Sequence, residues 1–359
     1  MGFLDNLKND FLSHSEYLLN IIVEIDGMCF FPGGNNGPYM HIETPVRNTS
    51  HILVIFSKSY KLTGDVKYKV ALNKVIMYLL DTNYYINRQY IHRRGGTDTC
   101  NGVIGDAWVI EGISSCLPYL TDDLKELATK RLHEIVDRIN FDSKGFFAYR
   151  YDSERGLIGG DFTYNHQLWL MASLAQAGLK TDVVSHFLDV SLSGSFLTRK
   201  DGLINHLFYG NSLKNWLNII RYKVSEVRSR NKVNYKERGY HLFNIFAFCV
   251  LYKNVKHDFF NSEIFLNSLS KINSEFLEKL YDENNIYSIQ YNSPAFELPF
   301  IYMIFSSHFD SIGFDCSEVE SIYRRNKNIF WSKDNAAFTL NKVDKLTYAA
   351  RVYEISYAF

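Results

Sequence analysis

The chain has 359 residues, 46% of them hydrophobic, with 39 basic side chains balanced by 39 acidic ones. That is enough apolar material for a large core, and zero net charge with no basic run excludes an electrostatic nucleic-acid binder. Five scattered cysteines, Cys29, Cys100, Cys116, Cys249 and Cys316, lack the close spacing of a zinc site and are odd in number, which predicts free thiols in a reduced compartment.

Residues 1–10 lack a basic segment followed by an apolar run, and no apolar stretch reaches the roughly 18 residues that span a bilayer. A cytoplasmic protein without stable membrane insertion is expected. Residues 5–25 read as a first helix, with Leu7, Phe11, Leu18, Leu19, Ile22 and Val23 near helical spacing. A glycine-rich loop over 27–48 leads to a helix over 49–62, and Thr63-Gly64-Asp65 turns into another over 66–80. The arrangement then repeats. Loop 81–101 leads to a helix over 104–117, and Thr121-Asp122-Asp123 caps a helix over 122–139. Loop 140–161 leads to helices over 163–177 and 183–192. Residues 193–236 read as an irregular insertion, with a helix over 213–227. Further helices are expected from Glu237 to Tyr252, over 261–280, from the run 291–297 to Phe309 and over 316–325, and the tail 351–359 reads as extended.

Long loops and short turns therefore alternate. Comparable marks at the starts of the inner helices are Asn48, Gly105, Asn165, Tyr240 and Glu297, spaced by 57, 60, 75 and 57 residues. Such a hairpin repeat cannot bury its inner face alone and must stack or close. The expected fold is all-α, one (α/α)6 toroid of helical hairpins over 1–359, with the long loops on one rim around a central pocket.

Several runs resemble a known family. Gly37-Pro38-Tyr39 with Glu43-Thr44-Pro45-Val46-Arg47-Asn48-Thr49-Ser50-His51 is similar to the AglQ-type proteins of the Agl cluster, encoded with surface-glycan and capsule assembly genes. So are 101–112, 165–169, 237–244 and 351–359, and the match spans nearly the whole chain. Such proteins are similar in turn to the unsaturated glucuronyl hydrolases, (α/α)6 barrels that use two aspartates on uronic-acid sugars. The resemblance implies polysaccharide or glycan biosynthesis, an oligosaccharide substrate, and glycan-assembly enzymes as partners.

The residues themselves offer a pair of carboxylates. Asp106 and Asp161 follow glycine-marked loops at equivalent points of successive hairpins, each just before or within a helix carrying a tryptophan. Carboxylates converging from different elements suit acid–base work on sugars, although capping a helix N-terminus would explain either one alone. His166 beside Asn165 and Gln167 makes an unusually polar first turn and is expected to join the catalytic set. Trp108, Glu111 and Trp169 are expected to shape the sugar site. Glu43, Arg47 and Asn48 form a first rim motif, and Arg47 is the candidate grip on a uronate carboxylate or a phosphate, with an ion pair to Glu43 as the plain alternative. Arg238, Tyr240 and His241 repeat the idea, with an ion pair between Glu237 and Arg238 as the alternative, and Glu297 follows Pro294 near a helix start. His41, His51 and His92 show no metal-ligand pattern, so neither metal nor cofactor is expected. Hydrolysis of an acidic glycan leads because the remote relatives hydrolyse. A lyase or epimerase on the same barrel follows, the epimerase leaning on His166 and His241. A non-catalytic glycan-binding assembly subunit is the reading of a different class.

Overall fold

In the structure, a computed structural model, residues 2–94, 98–192, 198–207 and 234–359 are described. Two kinds of helix alternate. Those that line the bore are apolar on nearly every side: α2 (Val46–Thr63), α4 (Ile104–Cys116), α6 (Tyr164–Ala177), α8 (Tyr235–Asn254) and α11 (Pro294–Ser311). A helix that is hydrophobic all round must be covered all round. Those outside are amphipathic: α1 (Phe3–Leu19), α3 (Val66–Asp81), α5 (Asp122–Arg138), α7 (Thr181–Leu192), α9 (Glu263–Ser270), α10 (Ser274–Leu280) and α12 (Cys316–Phe330). Of α5, for example, only Ala128, Leu132, Ile135 and Val136 are buried.

The inner segments close a ring. α2 packs on α4, α4 on α6, α6 on α8, α8 on α11, α11 on the 3-10 segment Arg351–Ala358, and that segment back on α2. The sixth hairpin joins the two ends of the chain, because α1 packs outside Arg351–Ala358. The protein is an (α/α)6 barrel. Close approach of α2 and α4 depends on Gly112, where a Cβ would lie 2.6 Å from the main-chain oxygen of Ser50.

Four expected elements differ. α1 stops at Leu19, and a hairpin pairs Val23–Ile25 with Met28–Phe30. Its two-residue turn, Asp26-Gly27, has positive φ at both positions, the geometry that Asp-Gly favours between strands. The expected helix over 261–280 is two, α9 and α10, because Asn273 caps a new start by accepting from the Phe276 N–H. The helix expected from Glu237 begins two residues earlier, at Tyr235. The tail is a 3-10 helix rather than extended. Its residues are buried on every side except Tyr357 and Phe359, and Arg351 ties to Glu354 three residues on. The helix expected over 213–227 lies outside the described residues.

Short strand pairs fasten the long loops on the rim where the inner helices begin. Ile42–Glu43 pairs with Arg93–Arg94, and Tyr149–Asp152 with Gly156–Gly160.

Candidate functional site

Six inner segments begin on that rim and surround a cavity of about 650 Å³ including its mouth. Its wall holds the cations Arg47, Arg93, Lys236 and Arg351, the rings of His166 and His206, and the aromatics Tyr39, Trp108, Tyr240, Phe243 and Tyr291. Asn36, Asn101, Asn165 and Asn292 add amides. Among the described residues no Asp or Glu lines it.

His166 stands in the first turn of α6, where its Nδ1 lies 2.8 Å from Asp161 Oδ2. Asp161 precedes the helix and accepts also from the N–H groups of Val103 (2.9 Å) and Thr163 (3.1 Å). Burial alone would raise its pKa, but the His166 ring and those two N–H groups outweigh burial and bring it down to about 2. The carboxylate is therefore a fixed anion that holds one ring nitrogen of His166 and leaves Nε2 as the nitrogen open to the cavity. Gly102 makes room for the pair. It has φ +66°, and a Cβ there would lie 2.2 Å from Asp161 Oδ2 and 2.3 Å from His166 Nδ1. Beside them Asn165 is buried on the cavity wall with Oδ1 lacking a hydrogen-bond partner among the described residues.

Asp106 has a different setting. Its carboxylate accepts from Arg138 Nη2 at 2.7 Å and from Gln89 Nε2 at 3.2 Å, and it is absent from the cavity wall. Arg138 comes from outer helix α5, so the pair binds that helix to α4.

Arg47 is both an ion-pair partner and a cavity residue. Its Nη1 donates to Glu43 at 3.1 Å and to Asn36 at 3.2 Å, while its guanidinium lies 4.0 Å from the Trp108 ring centroid. Nε donates to His51 at 3.4 Å, which leaves Nη2 without a partner among the described residues. Arg351 is saturated by contrast. It binds Glu354 (2.6 Å), Glu297 (2.9 Å), Asn292 Oδ1 (2.6 Å) and the main-chain oxygen of Tyr291. Glu43, Glu297 and Glu354 stand behind these arginines, and burial pushes all three carboxyls upward against the pull of the guanidiniums. Burial holds His206 neutral, helped by Lys236 and His166 nearby.

The structure thus gathers Arg47, Trp108, Asn165, His166 and Tyr240 on the cavity wall. Tyr240 meets Tyr39 hydroxyl to hydroxyl at 2.9 Å. The other sequence candidates point elsewhere. Asn48 donates to the Pro32 carbonyl at 2.9 Å. Trp169 is stacked on Phe243 and Phe246 in the core. Glu111 Oε1 lies 2.6 Å from the Tyr357 hydroxyl deep in the bore, where burial pushes its carboxyl up to about 8. His241 faces outward to the Ser268 carbonyl at 2.9 Å, its pKa lowered to about 4 by burial. Half-buried Arg238 is also absent from the wall. Sequence reasoning missed Arg93, His206, Lys236, Tyr291 and the role of Arg351. Two of them, His206 and Lys236, fall in the stretch read as an insertion, and Arg351 sits in a tail expected to be extended. No cluster of three or more His, Cys, Asp or Glu suited to a metal ion occurs among the described residues.

No family model matches the chain. It is 30% identical over 349 residues to the archaeal glycosylation protein Q of Haloferax volcanii, covering 90% of this chain and 90% of that protein. The chain belongs to the archaeal glycosylation protein Q family. Among solved structures, the cellobiose 2-epimerase of Bacillus thermoamylovorans B4167 superposes with TM-score 0.65 at 12% identity, covering 99% of this chain and 98% of that one. An unsaturated glucuronyl hydrolase specific for heparin superposes with TM-score 0.50 at 11% identity, over 99% and 96%. At such identities the likeness is one of fold. The family and the barrel are those that the sequence motifs implied. No helix among the described residues is long and apolar enough to cross a membrane.

Proposed function

We propose that the protein is an acid–base enzyme of glycan assembly that epimerises or isomerises an acidic sugar, with His166 as its central base. The observation that carries this reading is the composition of the cavity wall: two imidazoles and four cations, with no carboxylate among the described residues. Hydrolysis by an aspartate pair needs two carboxylates about 5–9.5 Å apart across the sugar. Here the carboxylates are set one layer back, each engaged by a basic side chain. That layering suits proton transfer at carbon. His166 Nε2 takes the proton next to a sugar carbonyl, the electron pair moves onto the carbonyl oxygen, and a proton returned to carbon gives the new isomer. Negative charge developing on that oxygen would meet the Arg47 and Arg93 side of the cavity. His206 is the candidate second acid–base group.

In this reading Asp161 positions His166, and Asp106 takes no part in proton transfer but anchors Arg138. Arg47 Nη2 offers the open donor for a uronate carboxylate, and Asn165 Oδ1 accepts from a ring hydroxyl. The family's glycosylation name and the barrel shared with a sugar epimerase support a carbohydrate substrate. A place on the cytoplasmic side of a surface-glycan or capsule pathway, beside other glycan-assembly enzymes, goes with it. The test is incubation with free uronic acids and with acidic oligosaccharides bearing a free reducing end, followed by proton NMR. Appearance of a stereoisomer or keto isomer supports the proposal, and release of a free sugar from an oligosaccharide without isomerisation would overturn it.

A further inference from the structure

The opposite rim, where the inner helices end, carries a second cavity of about 610 Å³ including its mouth. Ser57, Lys58 and Lys61 of α2, Ser115 of α4, Gln176 of α6 and Lys253 of α8 build its wall. Tyr357 closes its floor, with its hydroxyl donating to Gln176 Oε1 at 2.6 Å, and Gln176 in turn donates to Ser115 at 3.0 Å. None of the proposed chemistry uses this end of the barrel.

Three ammonium groups face this cavity, and no carboxylate side chain pairs with any of them among the described residues. Lys58 donates to the main-chain oxygen of Phe359, the last residue of the sequence, so one of the three already has an acceptor. Lysines in the last turn of a helix are ordinarily explained by the negative end of the helix dipole. That accounts for Lys61 and Lys253, each in the last turn of its helix. It does not account for Lys58, which is half-buried and lies a turn earlier. Burial, Lys61 and Lys253 together lower its pKa to about 8, so the cations repel one another as they stand. Nor does it account for Ser57. The residue lines the same cavity and is only 4% exposed, and its Oγ has no hydrogen-bond partner among the described residues. An unsatisfied hydroxyl beside mutually repelling ammonium groups is relieved by an oxyanion, which accepts from all of them at once.

We propose that this far-rim cavity binds a phosphate or diphosphate group, held by Lys58, Lys61, Lys253 and the Ser57 hydroxyl. The phosphate belongs either to a soluble molecule or to a lipid headgroup at the membrane surface. The experiment titrates inorganic pyrophosphate calorimetrically into the full chain at constant ionic strength. The wild type is compared with the far-rim variant Lys58→Met/Lys253→Met, with Ser57→Ala, and with Arg47→Met on the other rim. The double variant should bind at least about tenfold more weakly, Ser57→Ala about threefold more weakly, and Arg47→Met should retain the far-rim event. Thermal melts establish that each variant is folded, and Ser57→Ala decides if the double variant is not. Sedimentation with phosphatidic acid vesicles but not with phosphatidylcholine vesicles, lost in the double variant, supports the lipid-borne phosphate. Pyrophosphate binding without sedimentation supports the soluble one. Undetectable pyrophosphate binding by the wild type, or equal affinity in wild type and far-rim variants, overturns the proposal.

Discussion

The starts of α4 and α6 look alike in sequence and do different work. Each has glycines in its approach, an aspartate and a tryptophan. At α6 the aspartate precedes the helix, accepts two backbone N–H groups and grips His166, which faces the cavity. At α4 the aspartate lies within the first turn and faces Arg138 and Gln89, while Trp108 faces the cavity. Two residues along a helix are about 200° apart, so Asp106 and Trp108 cannot share a face. The tryptophans diverge as well: Trp108 meets the cavity and Trp169 is sealed in the core. A local pattern fixes where a residue stands along a helix, and its angular offset decides what it can touch.

The comparison can be broken by substitution. The largest effect is expected at His166. His166→Gln should lower kcat/KM on the confirmed substrate by about 10²–10⁴-fold with an unchanged melting temperature. Full activity would return His166 to the role of a packing residue. Next comes Asp106→Ala, which leaves Arg138 buried without its anion. Urea unfolding should show a loss of about 3–5 kcal/mol. The folded fraction should keep near-normal activity, and loss of activity at intact stability would make Asp106 a catalytic group after all.

Asp161→Asn should fall between the two, lowering kcat by about 10–100-fold because His166 loses the anion that orients it. The same variant tests the charge. Asp161 has its folded pKa depressed to about 2 from an ordinary 3.8. Its contribution to stability is therefore fully present above pH 4 and lost as pH falls from about 4 toward 2, a change of about 2 kcal/mol. The stability gap between wild type and Asp161→Asn should narrow over that window. A gap independent of pH would show that the carboxylate is not ionised in the folded protein.

The smallest effect has the opposite sign and lies deep in the bore. Glu111 has its folded pKa raised to about 8, so the fold prefers its neutral form. Ionisation in the unfolded chain therefore costs stability as pH rises from about 4.5 to 8. Glu111→Gln should melt a few degrees, roughly 2–4 °C, higher than the wild type at pH 8, with the advantage shrinking toward pH 5. A constant difference across that range would contradict the buried neutral carboxyl.

Much of the barrel was legible because closure leaves a plain record. Helices apolar all round alternate with one-sided ones, at a spacing near 60 residues set by hairpin length. Arg47, Asn165, His166 and Tyr240 were legible as cavity residues because polar and aromatic groups at the start of an apolar helix need a reason to be there. Side-chain direction was less so. Glu43 and Glu297 are on the right rim but sit behind the arginines they balance. The sixth inner segment was not legible. Arg351–Ala358 is short, and it becomes helical only because the bore buries it and its arginine finds Glu354 and Glu297. His206 reaches the cavity from an irregular loop and Arg93 from a two-residue strand, neither of which carries a period to read.

The central claim is that His166, and not an aspartate pair, moves a proton at carbon. Turnover of the confirmed acidic sugar in deuterium oxide tests it most directly, with wild type, Asp106→Asn and His166→Gln compared by NMR. The account predicts deuterium at the carbon next to the carbonyl with the wild type and with Asp106→Asn, and none with His166→Gln. Turnover by the wild type with no deuterium on carbon, abolished by Asp106→Asn, would contradict it.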